Sequence, residues 1–459
     1  MKTIYFFLLT STLFIACKKP EAKDIELSIA EEIQEVLQSK MIDVWYPRAI
    51  DSVNGGYFSD FNYKWEPDGA QDKFIVTQAR HVWALSFLFD RYKENLDYLK
   101  WADHGFQFLR DHMWDQEAGG FFQLTNVRGE IEKSPAAFEK TAYGNSFAIY
   151  GLAEYYKVSK NEEALDLARK TFYWLDDYAR DSVYGGYFQM LDREGTPIPR
   201  AKANDYSHSD RAQIGLKDYN SSIHLLEAFT TLYEVWPDSL LRERLEEMYM
   251  VVSEKMMDER GFLKLFFHPD WTMVTDEELK QTGGGNSYIS DHITFGHDVE
   301  TAFLLYEAAQ VLGKDESIYF QKIKSLVDHP IQMGWDEKYG GLFDQGKYVD
   351  GKMTILSTHK EWWSQAEALN SFLLMHYLFP DDPQNYDQKF KAQWNYISTY
   401  LIDHKHGGWY LNGLDVSKDF AKRNKASIWK GNYHTTRALV HCLLLLEELE
   451  AKKKLDEQD

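Results

Sequence analysis

A short motif, an acidic residue followed closely by glycine, recurs six times along this chain of 459 residues. The copies are Asp51–Tyr57, Asp115–Phe121, Asp181–Tyr187, Asp258–Phe262, Asp336–Leu342 and Asp403–Trp409, and all but the fourth contain a Gly-Gly pair. Measured at Gly56, Gly120, Gly186, Gly261, Gly341 and Gly408, the intervals are 64, 66, 75, 80 and 67 residues. Each interval has room for two helices and a turn. Six such units that close on themselves form a ring of helical pairs around one central cavity.

The repeat predicts one large domain, although the length alone would suggest about three. Each unit must pack against its neighbours to bury its apolar face. Helical periodicity predicts twelve segments, which begin near residues 31, 77, 96, 140, 161, 217, 238, 293, 314, 360, 384 and 430. The glycine motifs follow the odd-numbered segments, and each is predicted to form a tight turn with a short hairpin. The loop from Phe267 to Ile293, which contains Gly283-Gly284-Gly285, is long enough to act as a lid or rim.

Unusual polar and aromatic residues cluster at the beginnings of the even-numbered segments. In a closed ring of antiparallel pairs, these six beginnings point to the same end of the barrel, so residues far apart in sequence meet at one mouth. The cluster consists of Arg80, Tyr143, Asn145, Asn220, His224, His297, Glu300, Trp362, Trp363, Glu367, Tyr433, His434 and Arg437. We therefore predict a functional site at this end.

The chemistry of this cluster suits proton abstraction next to a carbonyl group. Histidine takes or gives a proton near neutral pH, so two opposed histidines can serve both faces of one carbon. Glu300 lies three residues after His297 and is predicted to support that imidazole. Arg80 and His224 could stabilise an oxyanion on a neighbouring oxygen. Stacking platforms for sugar rings could come from Trp362, Trp363 and Trp429.

A metal site is a chemical alternative at this mouth. Three histidines could hold a catalytic zinc ion, but here they come from three separate helices and show no local ligand pair such as His-x-x-x-His. The sequence also lacks a glycine-rich loop joining a strand to a helix and a Gly-x-Ser-x-Gly nucleophile motif. We therefore expect neither a metal nor another cofactor.

The charge balance excludes nucleic acid and favours a neutral ligand. The formal net charge is -21, and the sequence contains no stripe of Lys and Arg. Aromatic residues make up 15% of the chain, which suits a cavity that stacks sugar rings. We expect a small neutral sugar as the ligand and no protein partner.

The first residues are predicted to be a targeting segment. An apolar run ends in Leu13-Phe14-Ile15-Ala16-Cys17, which resembles a bacterial lipoprotein signal whose cysteine becomes lipidated. We expect residues 1–16 to be the signal peptide, 17–30 the lipidated Cys17 with its tether, 31–452 the barrel and 453–459 a charged tail. The chain would then be lipid-anchored in the cell envelope, on the periplasmic side or at the cell surface. The other cysteine, Cys442, leaves no pair for a disulfide.

Four segments carry a resemblance to a known family. They are Thr294-Phe-Gly-His-Asp-Val-Glu, Lys360-Glu-Trp-Trp-Ser-Gln-Ala-Glu, Asn220-Ser-Ser-Ile-His and Trp429-Lys-Gly-Asn-Tyr-His-Thr-Thr-Arg. In order and spacing they resemble the N-acylglucosamine 2-epimerase superfamily, and within it most of all the cellobiose 2-epimerases. The resemblance implies an all-α fold, an (α/α)6 barrel of six helical hairpins in a ring with short β-hairpins at one end. It also implies cofactor-independent epimerisation at C2 of the reducing-end glucose or mannose unit of a β-1,4-linked disaccharide, cellobiose or mannobiose.

The resemblance further implies roles for individual residues. His434 and His297 would be the two acid/base residues, with Glu300 supporting His297. Arg80 and His224 would bind the oxygens at C1 and C2. Substrate contacts would come from Tyr143, Asn220, Trp362, Trp363, Glu367, Trp429 and Arg437.

Three classes of alternative function stay open at this point. Within the same fold, the chain could be a monosaccharide aldose–ketose isomerase or an N-acylglucosamine 2-epimerase. Helical-ring barrels also host glycoside hydrolases, which need two carboxylates flanking the bond. The available carboxylates are Asp298, Glu300, Glu361 and Glu367. A catalytically silent, surface-anchored sugar-binding protein is the third possibility.

Overall fold

The computed structural model describes residues 22–131, 139–206, 209–281 and 292–457. The predicted signal peptide, Cys17 and the glycines 283–285 of the predicted lid lie outside these ranges. Among the described residues, no helix combines the length and the apolar character that crossing a membrane requires.

The helices alternate along the chain between an inner and an outer layer. The inner helices are α3 (Ile75–Arg91), α5 (Ala142–Ser159), α7 (Tyr219–Val235), α10 (Phe295–Leu312), α12 (Trp362–Leu378) and α14 (Tyr433–Asp456). The outer helices are α1 (Ala22–Glu35), α4 (Leu96–Phe108), α6 (Glu162–Trp174), α8 (Ser239–Met250), α11 (Glu316–Met333) and α13 (Tyr386–Tyr396). Each inner helix packs against the next, and α14 packs against α3. The fold is therefore a closed (α/α)6 barrel, as predicted.

Shorter helical segments complete the two layers. The α-helices α2 (Asp43–Trp45) and α9 (Asp276–Gln281) are short. Turns of π-helix extend five outer helices, at Val36–Ile42, Leu109–Met113, Leu175–Ala179, Val251–Met256 and Ile397–Leu401. Turns of 3-10 helix occupy Arg200–Asp205, Ser209–Gln213 and Lys418–Lys422.

The predicted helix starts lie within three residues of the observed ones, except at the first helix. Helix α1 begins at Ala22 rather than near residue 31, so residues 22–30 of the predicted tether are helical. Along this helix and its π-helical extension, Ile29, Ile33 and Leu37 recur every four residues and are all buried, which gives the segment one apolar face. At the other end, α14 continues to Asp456 and includes part of the predicted charged tail.

Each glycine motif forms the predicted tight turn. In the first copy, Asp51 Oδ1 accepts hydrogen bonds from the backbone of Val53 and Asn54. Gly56 has φ +65°, and a Cβ there would lie 2.6 Å from Gln78 Oε1, so only glycine fits. The hairpin around the turn is shorter than predicted, because a single antiparallel bridge flanks each motif, as between Ile50 and Tyr57.

A buried lysine locks five of the six turns, a feature that was not predicted from the sequence. Each lysine precedes an inner helix and donates to the motif aspartate across 2.7–3.0 Å. The pairs are Lys73–Asp51, Lys140–Asp115, Lys217–Asp181, Lys360–Asp336 and Lys425–Asp403. In the fourth copy Asp258 pairs instead with Arg260. The five lysine pairs tie the segment before an inner helix to the turn that precedes it, and α10 has no such pair among the described residues.

Short antiparallel strands join neighbouring repeats at the site end of the barrel. The pairs are β1 (Lys73–Phe74) with β2 (Leu124–Thr125), β3 (Lys140–Thr141) with β4 (Met190–Leu191), and β5 (Lys217–Asp218) with β6 (Phe266–Phe267). A three-stranded sheet contains β7 (Ile293–Thr294), β8 (Gln345–Val349) and β9 (Lys352–Ser357) in that order. Single bridges from Glu361 to Asn412 and from Phe61 to Ala426 continue the pattern around the ring.

The hydrophobic core is continuous between the two helix layers. Two small apolar clusters lie under the loops at the site end. They are Met190, Ile198, Ala203 and Ile214, and Ala212, Leu216, Leu265, Phe266, Val274 and Leu279. These clusters fix the loops that form the rim of the site.

Candidate active site

The first turns of the inner helices line one cavity of about 210 Å³. Its lining consists of Arg80, Tyr143, Asn220, His224, His297, Glu300, Glu361, Trp362, Trp363, Trp429 and His434. All five predicted catalytic residues and five of the seven predicted substrate-binding residues therefore meet in one place. Their chemical roles stay predictions at this stage.

Glu367 and Arg437 lie beneath the cavity wall rather than in its lining, and both are completely buried. Arg437 donates to Glu367 at 2.7 Å and to Glu300 at 2.6 Å. The structure therefore does not bring these two side chains into the cavity lining, and their predicted contact with the substrate stays a prediction. A guanidinium and a carboxylate that satisfy each other can be buried together, whereas either one alone could not.

His434 is held by a carboxylate. Its Nδ1 lies 2.7 Å from Glu367 Oε1 and 3.7 Å from Glu300 Oε1. An ionised carboxylate can only accept, so Nδ1 carries the hydrogen and Nε2 is left for the cavity. Burial and the nearby cations Arg80 and Arg437 hold the pKa of His434 well below its usual value, although Glu300 opposes them. The ring is therefore a neutral base at pH 7.

His297 has different support from the one predicted. Its Nδ1 lies 3.1 Å from Thr294 Oγ1 and 3.5 Å from the hydroxyl of Tyr219. Glu300 lies on the expected helix face, but its Oε1 accepts from Arg437 Nη2, so the hydrogen-bond partners of His297 Nδ1 are hydroxyls rather than Glu300. Burial, followed by the neighbouring histidines and Arg80, lowers the pKa of His297 well below its usual value. Both acid/base candidates are thus uncharged at neutral pH, one held by a carboxylate and one by hydroxyls.

Trp363 forms a wall that both histidines contact. Its indole centroid lies 4.4 Å from the His297 ring and 5.6 Å from the His434 ring. The indole Nε1 donates to Glu361 Oε2 at 2.7 Å. The two imidazoles therefore line the same cavity and lie against the same indole.

His224 is held by Glu227, which sequence reasoning missed. The Nδ1 atom of His224 lies 2.8 Å from Glu227 Oε2, and the other carboxylate oxygen accepts from Tyr433 and Arg437. Burial is outweighed by Arg437 and His224, so the pKa of Glu227 falls to about 2. Glu227 follows His224 by three residues on α7, and this spacing could have identified it.

Arg80 and Tyr143 meet across the cavity from α3 and α5. Arg80 Nη2 donates to the Tyr143 hydroxyl at 3.1 Å. The guanidinium also lies over the rings of Phe147 and Tyr433, at 4.2 and 4.7 Å from their centroids. Aromatic faces orient the planar cation without neutralising it, so its charge stays available for an oxyanion.

A second, outer compartment of about 510 Å³ adjoins the first and shares part of its lining. The shared residues are Asn220, His297, Glu361, Trp363 and Trp429. Trp429 is half-exposed and its ring lies 4.6 Å from Phe74. Asp344 also lines this compartment, and burial together with Glu361 raises its pKa to about 7. The site can therefore accommodate a ligand longer than one sugar ring.

Three side chains at the base of the cavity are close enough together to be considered as metal ligands. Glu300, Glu367 and His434 offer ligand atoms within 4.8 Å of one another. However, Arg437 already donates to both carboxylates and places a cation between them. We therefore assign this cluster to orienting His434 rather than to holding a metal ion.

The arrangement suits acid/base chemistry at one carbon. Two neutral imidazoles can each take a proton, and Arg80 provides a positive charge for an adjacent oxyanion. Three of the carboxylates considered for hydrolysis already have partners. Glu300 and Glu367 form ion pairs with Arg437, and Glu361 accepts a hydrogen bond from Trp363. Asp298 is completely buried and accepts from the backbone of Leu263. Of these four carboxylates, Glu300 and Glu361 line the cavity, and each already has a hydrogen-bond donor, Arg437 and Trp363 respectively.

Comparison with known proteins gives a consistent match over most of the chain. Residues 56–438 match the family model for N-acylglucosamine 2-epimerase (GlcNAc 2-epimerase). A cellobiose 2-epimerase of Bacteroides fragilis is 28% identical over 424 residues, covering 90% of this chain and 98% of that protein. A D-mannose isomerase of Thermobifida fusca is 24% identical over 348 residues, covering 75% of this chain and 77% of that protein.

A solved structure shows the same architecture. Cellobiose 2-epimerase from Spirochaeta thermophila matches with a TM-score of 0.77 at 26% identity, covering 94% of this chain and 100% of that one. The match includes both helix layers and therefore the helix starts that line the cavity.

Proposed function

The chain belongs to the N-acylglucosamine 2-epimerase family, and from this premise we propose that it epimerises C2 of the reducing-end unit of a β-1,4-linked disaccharide without a cofactor. As a member of this family it is a carbohydrate epimerase or isomerase. The substrate we propose is cellobiose or mannobiose, whose reducing-end units are glucose and mannose.

One observation carries the proposal. His297 and His434 line the same cavity and both contact the indole of Trp363, at 4.4 and 5.6 Å between ring centroids. Two bases at one carbon can remove a proton from one face and return a proton to the other. No redox group is needed, because the sugar ends at the same oxidation level.

The proposed reaction begins when the sugar ring opens to its aldehyde. One histidine takes the C2 proton, and the electron pair forms an enediolate whose negative oxygen lies near Arg80 and His224. After rotation about the C2–C3 bond, or by exchange of roles, the other histidine, which has taken up a proton from solvent, protonates the opposite face of C2. The first histidine then releases the proton it removed to solvent. If the proton returns to C1 instead, the product is a ketose, so an isomerase side reaction follows from the same intermediate.

The two compartments support a disaccharide over a monosaccharide. The inner cavity of about 210 Å³ contains the acid/base residues, and the outer one of about 510 Å³ adjoins it at Trp429. An exposed indole at this junction is a suitable stacking surface for a second sugar ring. A monosaccharide would leave the outer compartment unused.

Deuterium incorporation tests the proposal. Incubation with cellobiose or mannobiose in heavy water, followed by NMR and mass spectrometry, should give the C2 epimer as an intact disaccharide with deuterium at C2. Release of two monosaccharides would indicate a hydrolase, and an unchanged sugar a binding protein. Turnover of free mannose to fructose, with no reaction of either disaccharide, would favour a monosaccharide isomerase.

We also propose that the chain is anchored to a membrane by lipid on Cys17. The support is the lipoprotein-like run that ends at this cysteine. Mass spectrometry of the membrane-extracted protein should find acyl groups on an N-terminal Cys17. A mature N-terminus at another residue, or a Cys17 without acyl groups, would contradict the proposal.

A further inference from the structure

Trp363 is held in place by a residue of its own helix start. Glu361 immediately precedes α12 and makes no side-chain hydrogen bond to the first N–H groups of that helix. Its Oε2 instead accepts from Trp363 Nε1 at 2.7 Å. The carboxylate of Glu361 therefore orients the indole rather than capping the helix.

The backbone around Glu361 is itself fixed. Glu361 forms an antiparallel bridge with Asn412, and the N–H of Trp362 donates to Leu411 O at 3.1 Å. The neighbouring indole of Trp362, by contrast, has a buried Nε1 with no hydrogen-bond partner. Of these two adjacent tryptophans, the one that contacts both histidines is thus the one that is hydrogen-bonded.

We propose that Glu361 is a positioning residue for the epimerase reaction, which fixes the Trp363 indole and through it the orientation of His297 and His434. The inference rests on the proposed function for the identity of the reaction. The hydrogen bond limits rotation of the indole, and the indole in turn limits the movement of both imidazoles toward it.

The expected consequence is both kinetic and chemical. A displacement of reacting groups by about 1 Å can cost about 10²-fold in rate. A histidine that tilts away from C2 also delivers its proton less selectively, so more of the enediolate is protonated at C1. Loss of the hydrogen bond should therefore lower kcat and raise the fraction of ketose.

Three variants isolate the hydrogen bond. Glu361→Leu keeps the approximate volume and removes the acceptor, Glu361→Gln keeps an acceptor oxygen, and Trp363→Phe removes the donor. With cellobiose or mannobiose we expect Glu361→Leu to lose about 10–10²-fold in kcat with a smaller change in KM, and to form more ketose. Glu361→Gln should retain most of the rate. Glu361→Leu combined with Trp363→Phe should be no slower than Trp363→Phe alone.

The chain offers a matched control far from the site. Trp394 Nε1 donates to Glu32 Oε2 at the same distance of 2.7 Å, between the outer helices α13 and α1. Glu32→Leu removes an equivalent indole–carboxylate bond, so any general effect of losing such a bond appears there as well. We expect this variant to keep the wild-type kcat and product ratio.

A wild-type rate and product ratio in Glu361→Leu would overturn the inference, as would an equal loss in Glu32→Leu or no rescue by glutamine. If the proposed epimerase function itself is wrong, the wild-type protein will convert neither disaccharide, which distinguishes that failure from a failure of the inference about Glu361. In that case NMR of the indole N–H protons tests whether Glu361 holds Trp363, and the Trp363 resonance is identified from its loss in Trp363→Phe. A resonance that does not move in Glu361→Leu would overturn it.

Discussion

The imidazole of His434 and the carboxylate of Glu367 are joined by a hydrogen bond of 2.7 Å between Nδ1 and Oε1. The two side chains come from different inner helices, α14 and α12, so the packing of the barrel sets their alignment. Arg437 holds the same carboxylate oxygen at 2.7 Å and keeps it in place. The bond fixes the tautomer of His434 and favours the imidazolium that forms when the ring takes a proton.

Glu367→Gln tests this support. Glutamine has nearly the same shape but no charge, so it stabilises the imidazolium less. We expect kcat for C2 epimerisation to fall about 10–10²-fold, with little change in KM. The control is Glu163→Gln, because Glu163 lies on the outer helix α6 with its side chain 69% exposed. An equal loss in the control, or none in Glu367→Gln, would show that the bond is not used in catalysis.

The acid limb of the pH–rate profile tests the state of the two histidines. Burial lowers the pKa of both His297 and His434 well below the usual value. A base is inactivated only when it is protonated, so each ring stays functional as the pH falls below about 6.5, the ordinary histidine value. We expect kcat/KM to be retained at pH 6 and to decline only at lower pH. A decline of kcat/KM with a midpoint at or above pH 6.5 would show that burial does not lower the pKa of these two histidines.

Glu154 provides a test of stability against pH. It is buried on α5, and burial raises its pKa to about 7, although Lys157 opposes the shift. Between about pH 4 and pH 7 the unfolded chain has released this proton while the folded chain retains it, so the native state loses stability as the pH rises. We expect Glu154→Gln to be up to about 3 kcal/mol more stable than wild type at pH 8 and equally stable at pH 4. Urea unfolding at both pH values measures this, and a gain of the same size at both would contradict it.

The buried pair of Lys73 and Asp51 tests what holds the glycine turns. Both side chains are fully buried and 2.9 Å apart. Lys73→Met leaves an unpaired buried carboxylate, so we expect a loss of about 3–5 kcal/mol in the free energy of unfolding. In the double variant Lys73→Met with Asp51→Asn, part of this stability should be recovered, because the buried asparagine that replaces Asp51 is uncharged.

An exposed pair serves as the comparison. Lys93 and Asp90 are 3.6 Å apart with side chains 73% and 46% exposed. Lys93→Met should cost less than about 1 kcal/mol. If Lys73→Met cost no more than this, the buried pairs would not be what stabilises the turns.

Much of the barrel could be predicted from the sequence, because its signals are local. The glycine motif fixes a turn within seven residues, and the apolar periodicity that sets each helix start spans a few turns. The lysine that pairs with the motif aspartate in five of the six turns could not be predicted, because the two residues are far apart in sequence; Lys73, for example, lies 22 residues after Asp51. No short-range pattern distinguishes such a lysine from one on the surface.

The same distinction applies to the site. The convergence of the inner-helix starts at one end of the ring could be predicted from the repeat, and the structure shows it. The partners of Arg437 could not be predicted, because Glu227 and Glu300 are 210 and 137 residues away in sequence. Spacing on a single helix therefore assigned Glu300 to His297, whereas attraction across the barrel places it against Arg437.

The most direct measurement of the central claim compares His297→Asn and His434→Asn with wild type in heavy water. If the two imidazoles serve C2 together, each variant should lose about 10²–10⁴-fold in epimerisation. The histidine that remains should still exchange the C2 proton of one epimer with deuterium, without inverting it. Near-normal conversion of cellobiose or mannobiose by either variant would contradict the account.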